Sequence, residues 1–198
     1  MSVAKSLRRS RHWWALILLV LSVIPLSVSA FTVHALNISH SEGRYRVNFD
    51  VVLAAAPTHV YAMLADYRKW PHLDDTITES RLLQTLADGT QRVRVIFHSC
   101  VLVFCKNVTQ TKDLDNHSHR QILTLMVPGQ SDFREGRESW VIEAQADKTR
   151  MRYDAEFSLA FVIPSIIFKA HLRHKLLVMT QRLEVSHASD TDALPRAK

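Results

Sequence analysis

The chain has 198 residues and carries 25 Lys and Arg against 19 Asp and Glu, a formal net charge of +6. Four of the basic residues, Lys5, Arg8, Arg9 and Arg11, fall within the first thirty positions, which leaves 21 against 19 for the remainder. Those that remain are interleaved with acids, which excludes the basic stripe of a nucleic-acid-binding domain.

The basic lead runs into Trp13 to Leu26, apolar apart from Ser22, and then into Ser27, Val28, Ser29 and Ala30. This is the layout of a secretory signal peptide, with cleavage expected after Ala30 and the bond after Ala35 as the second choice. An uncleaved anchor is the alternative, but an apolar run of fourteen that contains Pro25 falls short of the ~20 residues a spanning helix needs. Either way the domain is expected to face the periplasm or the exterior. The mature 168 residues suit one domain with a single core, residues 31–188, followed by a disordered tail at 189–198.

Tyr45, Val47, Phe49, Val51 and Leu53 alternate with Arg44, Arg46, Asn48 and Asp50, which predicts a first half-buried strand. Pro57 stands where a first helical turn tolerates it. Val60, Tyr61, Leu64 and Tyr67 then make a short amphipathic helix that must end before Pro71. Ile77 to Leu86 and Arg92 to His98 flank Asp88-Gly89, a strong hairpin signal. Further strands are expected at Lys106 to Leu114, Ile122 to Val127 and Ser139 to Gln145, with loops over Asn116 to His119 and Gln130 to Gly136.

Met151 to Ile163 alternate without a break and predict one long strand. Pro164 and Ser165 stop it. Phe168, Leu172, Leu176, Met179 and Leu183 then follow at helical spacing and form one apolar stripe about five turns long. The order is strand, helix, about six strands, long helix, which argues for an α+β domain rather than a parallel α/β one. A bent antiparallel sheet closed over such a helix leaves an apolar interior suited to ligand binding.

Few residues suggest chemistry. His171 and His174 lie at i and i+3 and His117 and His119 lie close together, but neither pair has further ligands at a structural-zinc spacing, so no metal is expected. There is no Gly-x-Ser-x-Gly and no phosphate-cradling glycine loop, and no catalytic residue or cofactor is expected. Glu135 and Glu138 with Arg134 and Arg137 read as a charged loop and strand edge, and Asp74-Asp75 as a helix-ending loop. Tyr61, Tyr67, Trp70, Trp140 and Tyr153 could meet an aromatic headgroup or simply fill a core. Cys100 and Cys105 would sit on opposite faces of a straight strand and face each other only if Val101 to Phe104 form a hairpin tip.

Residues 55 to 73, Ala-Ala-Pro-Thr-His-Val-Tyr-Ala-Met-Leu-Ala-Asp-Tyr-Arg-Lys-Trp-Pro-His-Leu, resemble the opening of the START-like (SRPBCC, polyketide cyclase/dehydrase) superfamily. Val60, Asp66, Tyr67, Trp70 and Pro71 are most similar to its coenzyme Q-binding branch. The resemblance covers roughly residues 40 to 187, and the glycine-rich loop of plant-allergen members is absent. It implies a helix-grip fold, a curved antiparallel sheet wrapped around a long C-terminal helix. It also implies a cavity for a small hydrophobic ligand, a lipid or quinone, shaped by Phe49, Val51, Val95, Phe97, Trp140, Tyr153, Phe157, Phe161, Leu172, Leu176 and Met179. A turn near residues 101 to 104 in that branch implies a disulfide between Cys100 and Cys105, with two free thiols as the alternative. The wholly apolar tip Val101-Leu102-Val103-Phe104 would then line the cavity mouth or touch a membrane. Three functions fit: a carrier of an apolar molecule, a cyclase or dehydrase using a cavity carboxylate or histidine, and an interaction protein with a filled cavity.

Overall fold

A computed structural model describes residues 31–101 and 104–192. The expected signal peptide and the end of the tail lie outside the described residues. The described residues begin with a strand that periodicity did not reveal, β1 (Thr32–Ser41), which turns through Glu42 and Gly43 into β2 (Arg44–Leu53). Both turn residues have positive φ, 52° and 75°, the geometry of a tight hairpin whose twist matches its strands. β1 lies at a sheet edge and buries only Leu36 fully, with Ile38 packed beside the core, so its sequence lacks clear alternation.

Helix α1 (Pro57–Ala65) opens on Pro57 and buries Val60, Met63, Leu64 and Ala65. It ends at Asp66, and side chains take over its last carbonyls: the Trp70 indole N–H donates to Leu64 O at 2.9 Å and the Asn116 amide to Ala65 O at 3.2 Å. A 3₁₀ turn at Tyr67–Lys69 leads into the single helical turn α2 (Trp70–Leu73), with Pro71 in its first turn. The expected helix thus ends before Pro71, but Tyr67 lies in the connection rather than on the helix face.

Six strands follow: β3 (Ile77–Thr85), β4 (Gln91–Val101), β5 (Phe104–Ser118), β6 (Gln121–Met126), β7 (Phe133–Gln145) and β8 (Lys148–Leu159). Asp88-Gly89 forms the β3–β4 turn, where Gly89 has φ 88° and the Asp88 carboxylate accepts the Thr90 N–H at 3.0 Å. β5 and β7 are longer than their alternation suggested, because Ser118 and the stretch from Phe133 to Gly136, both in segments expected as loops, still pair with neighbours. β8 is shorter, ending at Leu159, so Phe161 and Ile163 fall in the connection to the last helix.

The strands form one antiparallel eight-stranded sheet in the order β1-β2-β8-β7-β6-β5-β4-β3. Helix α3 (Ser165–Asp192) follows Pro164, packs its stripe of Phe168, Leu172, Leu176, Met179 and Leu183 toward the sheet, and runs four residues into the expected tail. This is the helix-grip arrangement. The C-terminal half of α3 is pinned to the β2–α1 connection, where the Ala54 N–H donates to Glu184 Oε1 at 2.8 Å, and Leu183 is completely buried.

Gly136 on β7 leaves room between Met126 on β6 and Phe157 on β8. A Cβ at this position would lie 2.7 Å from Met126 Cγ and 3.0 Å from Phe157 Cβ. Gly136→Ala is therefore expected to destabilise the fold by about 1–3 kcal/mol through overpacking, measured as a lower denaturation midpoint with an unchanged urea m-value.

Candidate functional site

The N-terminal half of α3 spans the concave face of the sheet without filling it. A cavity of about 650 Å³ remains between them, bounded by α2, β4, β5, β7, β8, the β8–α3 connection and α3. Cross-strand register explains its walls. Phe97 pairs with Val108, Ser99 with Lys106, Trp140 with Tyr153 and Gly136 with Phe157, and directly paired residues point to the same face.

Of the residues expected to line a cavity, Phe97, Trp140, Tyr153, Phe157, Phe161, Leu172, Leu176 and Met179 do so. Phe49, Val51 and Val95 do not: each is completely buried in closed core. Phe49 and Val51 lie on β2 toward the end pinned by α1 and Glu184, where the helix meets the sheet directly. Leu64, Trp70, Leu73, Ile77, Val108, Phe133, Ile167 and Phe168 complete the apolar wall.

Two polar stations interrupt this wall. At the first, Lys112 on β5 and Glu138 on β7 meet at 2.9 Å with side chains only 9 and 10 % exposed. Thr124 on the intervening β6 donates to Glu138 Oε2 at 2.7 Å and the Tyr153 hydroxyl donates to Oε1 at 3.3 Å. Lys112 Nζ also stands 4.8 Å from the Trp70 ring centroid, and Trp140 stacks on Tyr153 at 4.0 Å. Burial pushes the Glu138 carboxyl up, but the Lys112 ammonium and the hydrogen bonds from Thr124, Lys112 and Tyr153 outweigh it and hold the group below the usual glutamate value. Burial, with the Glu138 charge beside it, holds the Tyr153 phenol well above the usual tyrosine value.

The second station joins α2 to α3. Lys175 Nζ meets Asp74 Oδ2 at 2.6 Å and also bonds Thr76, whose own N–H and hydroxyl donate to Asp74 Oδ1 at 2.9 and 2.7 Å. Burial pushes Asp74 up, and Lys175 and Thr76 bring it below the usual aspartate value. One turn earlier on α3, His171 Nε2 lies 3.2 Å from Ser99 Oγ, and burial together with the nearby Lys175 charge pushes this imidazole below its usual value.

These stations escaped the sequence reading because each unites residues far apart in the chain. Glu138 looked like part of a charged edge, and its neighbours do lie there: Glu135 pairs with Arg44 at 3.0 Å and Arg137 with Glu156 at 3.2 Å, on exposed strand surface. The inward phase of β7 was the available signal, since Glu138 and Trp140 share a face. Asp74 likewise separates from Asp75, which reaches Arg182 at 2.8 Å.

Cys100 and Cys105 face each other across the β4–β5 hairpin and form a disulfide, with a Cα–Cα distance of 4.0 Å. The hairpin alternative is thus the observed one. The side chains of residues 101–104, expected at a membrane-touching tip, lie outside the described residues. Among the described residues, His98, Cys100 and Cys105 gather potential metal-ligating atoms within 4.8 Å, and both sulfurs are committed to the disulfide.

Two outcomes follow for the ion pairs. Lys112→Met should cost about 3–5 kcal/mol by stranding the Glu138 carboxylate, whereas Lys112→Met combined with Glu138→Leu should recover much of that loss, as read by urea denaturation. Glu138 and Asp74 have folded values depressed below their ordinary 4.5 and 3.8, so their contribution is full above those values and is lost as pH falls through the lower folded ones. His171, depressed from 6.5, acts in the same direction at milder acidity. A melting series from pH 8 to pH 3 should therefore show a shallow decline below pH 6.5 and a steep one below pH 4.5; stability that rises on acidification would contradict the pairing.

No curated protein matches the chain in sequence. Among solved structures, a START superfamily protein from Mycobacterium smegmatis superposes with a TM-score of 0.59 at 18 % identity, covering 73 % of this chain and 97 % of that one. The Zhui aromatase/cyclase from a Streptomyces species gives a TM-score of 0.59 at 16 % identity, covering 76 and 97 %. A protein from Thermus thermophilus gives 0.54 at 16 % identity, covering 71 and 98 %. At these identities the likeness is one of fold. Residues 53–184 match the family model described as polyketide cyclase / dehydrase and lipid transport, and with two-thirds of its length inside that match, from the end of β2 through most of α3, this chain belongs to that START-like family.

Proposed function

We propose that the protein is an exported carrier that holds a small hydrophobic ligand, a lipid or quinone, in the cavity under α3. The observation that carries this reading is the cavity itself, about 650 Å³ with a predominantly apolar wall, within the size range of small-molecule sites. A core meant only to pack would close such a space, because interior voids larger than a water molecule are costly. The open cavity therefore speaks against the filled-core interaction protein. The family description includes lipid transport, which fits the same reading.

Access runs past the β8–α3 connection, where Val162 and Pro164 both line the cavity and face solvent, with Val162 99 % and the adjoining Ile166 75 % exposed. An exposed apolar rim of this kind suits peripheral contact with a membrane from which the ligand is drawn, together with the Val101–Phe104 tip. Export is supported by the opening sequence, with its basic lead, apolar core and small residues up to Ala30. The Cys100–Cys105 bond suits an oxidising compartment.

A second reading, a proton-transferring enzyme of the cyclase or dehydrase type, is favoured by one observation. His171, whose imidazole burial and the Lys175 charge push below its usual value, lies within 3.2 Å of Ser99 at the cavity wall and has the properties of a general base. The carboxylate of Glu138 is held ionised and fully engaged, which suits it less to that role.

Native mass spectrometry of the protein purified from a bacterial periplasm tests both export and cargo. The expected result is a chain beginning at Phe31 that carries one lipid or quinone released by organic solvent. Leu172→Trp, which fills the cavity from α3, should lower ligand occupancy by about tenfold or more while leaving the fold intact by circular dichroism. An empty wild-type protein that also takes up neither ubiquinone nor fatty acids would remove the carrier reading.

A further inference from the structure

The charged residues of the cavity wall say what kind of polar group a ligand brings with it. Three lysines line the cavity, Lys106, Lys112 and Lys175, and each already faces a carboxylate. Lys112 meets Glu138 at 2.9 Å, Lys175 meets Asp74 at 2.6 Å and Lys106 meets Asp132 at 3.2 Å. The remaining titratable groups of the wall are Tyr153, which donates to Glu138, and His171, which lies 3.2 Å from Ser99 Oγ.

We infer that the cavity selects uncharged apolar molecules bearing a hydrogen-bond-accepting oxygen, such as a ketone, ester or quinone carbonyl, and discriminates against free carboxylic acids. This deepens the carrier reading and rests on it. The deepest station supplies the recognition. An ammonium has three donors and no acceptor, and the contacts of Lys112 are one hydrogen bond to Glu138 and the face of Trp70. A carbonyl oxygen entering beside Trp70 and Trp140 can take a further N–H of Lys112 without disturbing Glu138.

A carboxylate at the same point would bring a second anion against Glu138, with only one cation between the two. Like charges placed together in an apolar setting are strongly disfavoured. Transfer of a free acid also requires desolvation of a full charge or protonation, whereas an ester or ketone sheds only the weaker hydration of a neutral carbonyl. The ion pair thus presents a donor while contributing no net charge.

The test is equilibrium dialysis of the full protein at pH 8 against methyl decanoate, 2-undecanone and decanoate, with bound ligand quantified by mass spectrometry. The two neutral probes should bind at least about tenfold more tightly than decanoate. Glu138→Gln removes the compensating charge while keeping the shape, leaves Lys112 as a free cation, and should shift the preference toward decanoate by about tenfold or more. Should that variant fail to fold, the wild-type ratio still decides. Equal or tighter binding of decanoate by the wild type would overturn the inference and leave the carrier reading standing. Failure of all three probes, with ubiquinone and palmitate also unbound, would remove both.

Discussion

One helix cannot fill the concave side of an eight-stranded sheet. Strands spaced about 4.8 Å apart make such a sheet roughly 35 Å wide, whereas a helix with its side chains is only about 10–12 Å across. The sheet must curl, and a second element must occupy what curling leaves. Here α1 and α2 do so on one side, and the pinning of Glu184 to the β2–α1 connection draws the C-terminal half of α3 onto them. That half is sealed, with Thr180 and Leu183 completely buried. The N-terminal half begins at the exposed β8–α3 connection and meets α2 only along one edge, through Lys175 and Asp74, so the cavity lies there.

The same geometry accounts for the polar stations. Charged residues at the centre of a sheet's concave face would ordinarily be incompatible with folding unless paired and hydrogen-bonded. Lys112, Thr124 and Glu138 stand on three adjacent strands, and the register brings Thr124 directly opposite Glu138 on β6 and β7. The pair is therefore held by ladder hydrogen bonds of the backbone, independent of any ligand. Gly136, two positions before Glu138 on the same face, supplies the space that lets Phe157 and Met126 pack without a Cβ between them. Such a station is preorganised, which is the condition for binding a ligand without first reorganising the wall.

Most of the fold was legible because the core strands and α3 bury one face and expose the other. β2 alternates buried and exposed positions from Arg44 to Phe49, β6 throughout and β8 for much of its length, and the stripe of α3 follows helical spacing. What escaped lies where that asymmetry fails. β1 is an edge strand that needs only Leu36 and Ile38 against the core, and β5 and β7 extend through largely polar stretches that alternation does not mark, with the buried Phe133 isolated at the start of β7. Phe161 and Ile163 kept the phase of β8 after its pairing had ended at Phe133. Their alternation served the cavity wall instead of a sheet.

The site was legible only in its apolar half. Inward phase marked Phe97, Trp140, Phe157 and Leu172, but it could not separate the cavity wall from closed core, which is why Phe49, Val51 and Val95 look the same in sequence and differ in space. The polar half was written in the same phase. Counting two residues back from Trp140 reaches Glu138, and two back from Leu114 reaches Lys112, both inward positions where a charge is expensive. A charged residue in phase with a buried aromatic signals either a partner across the sheet or a ligand, and here the partner is present. Because the pair satisfies its own charge and leaves a donor over, the wall is neutral without any further group to balance it.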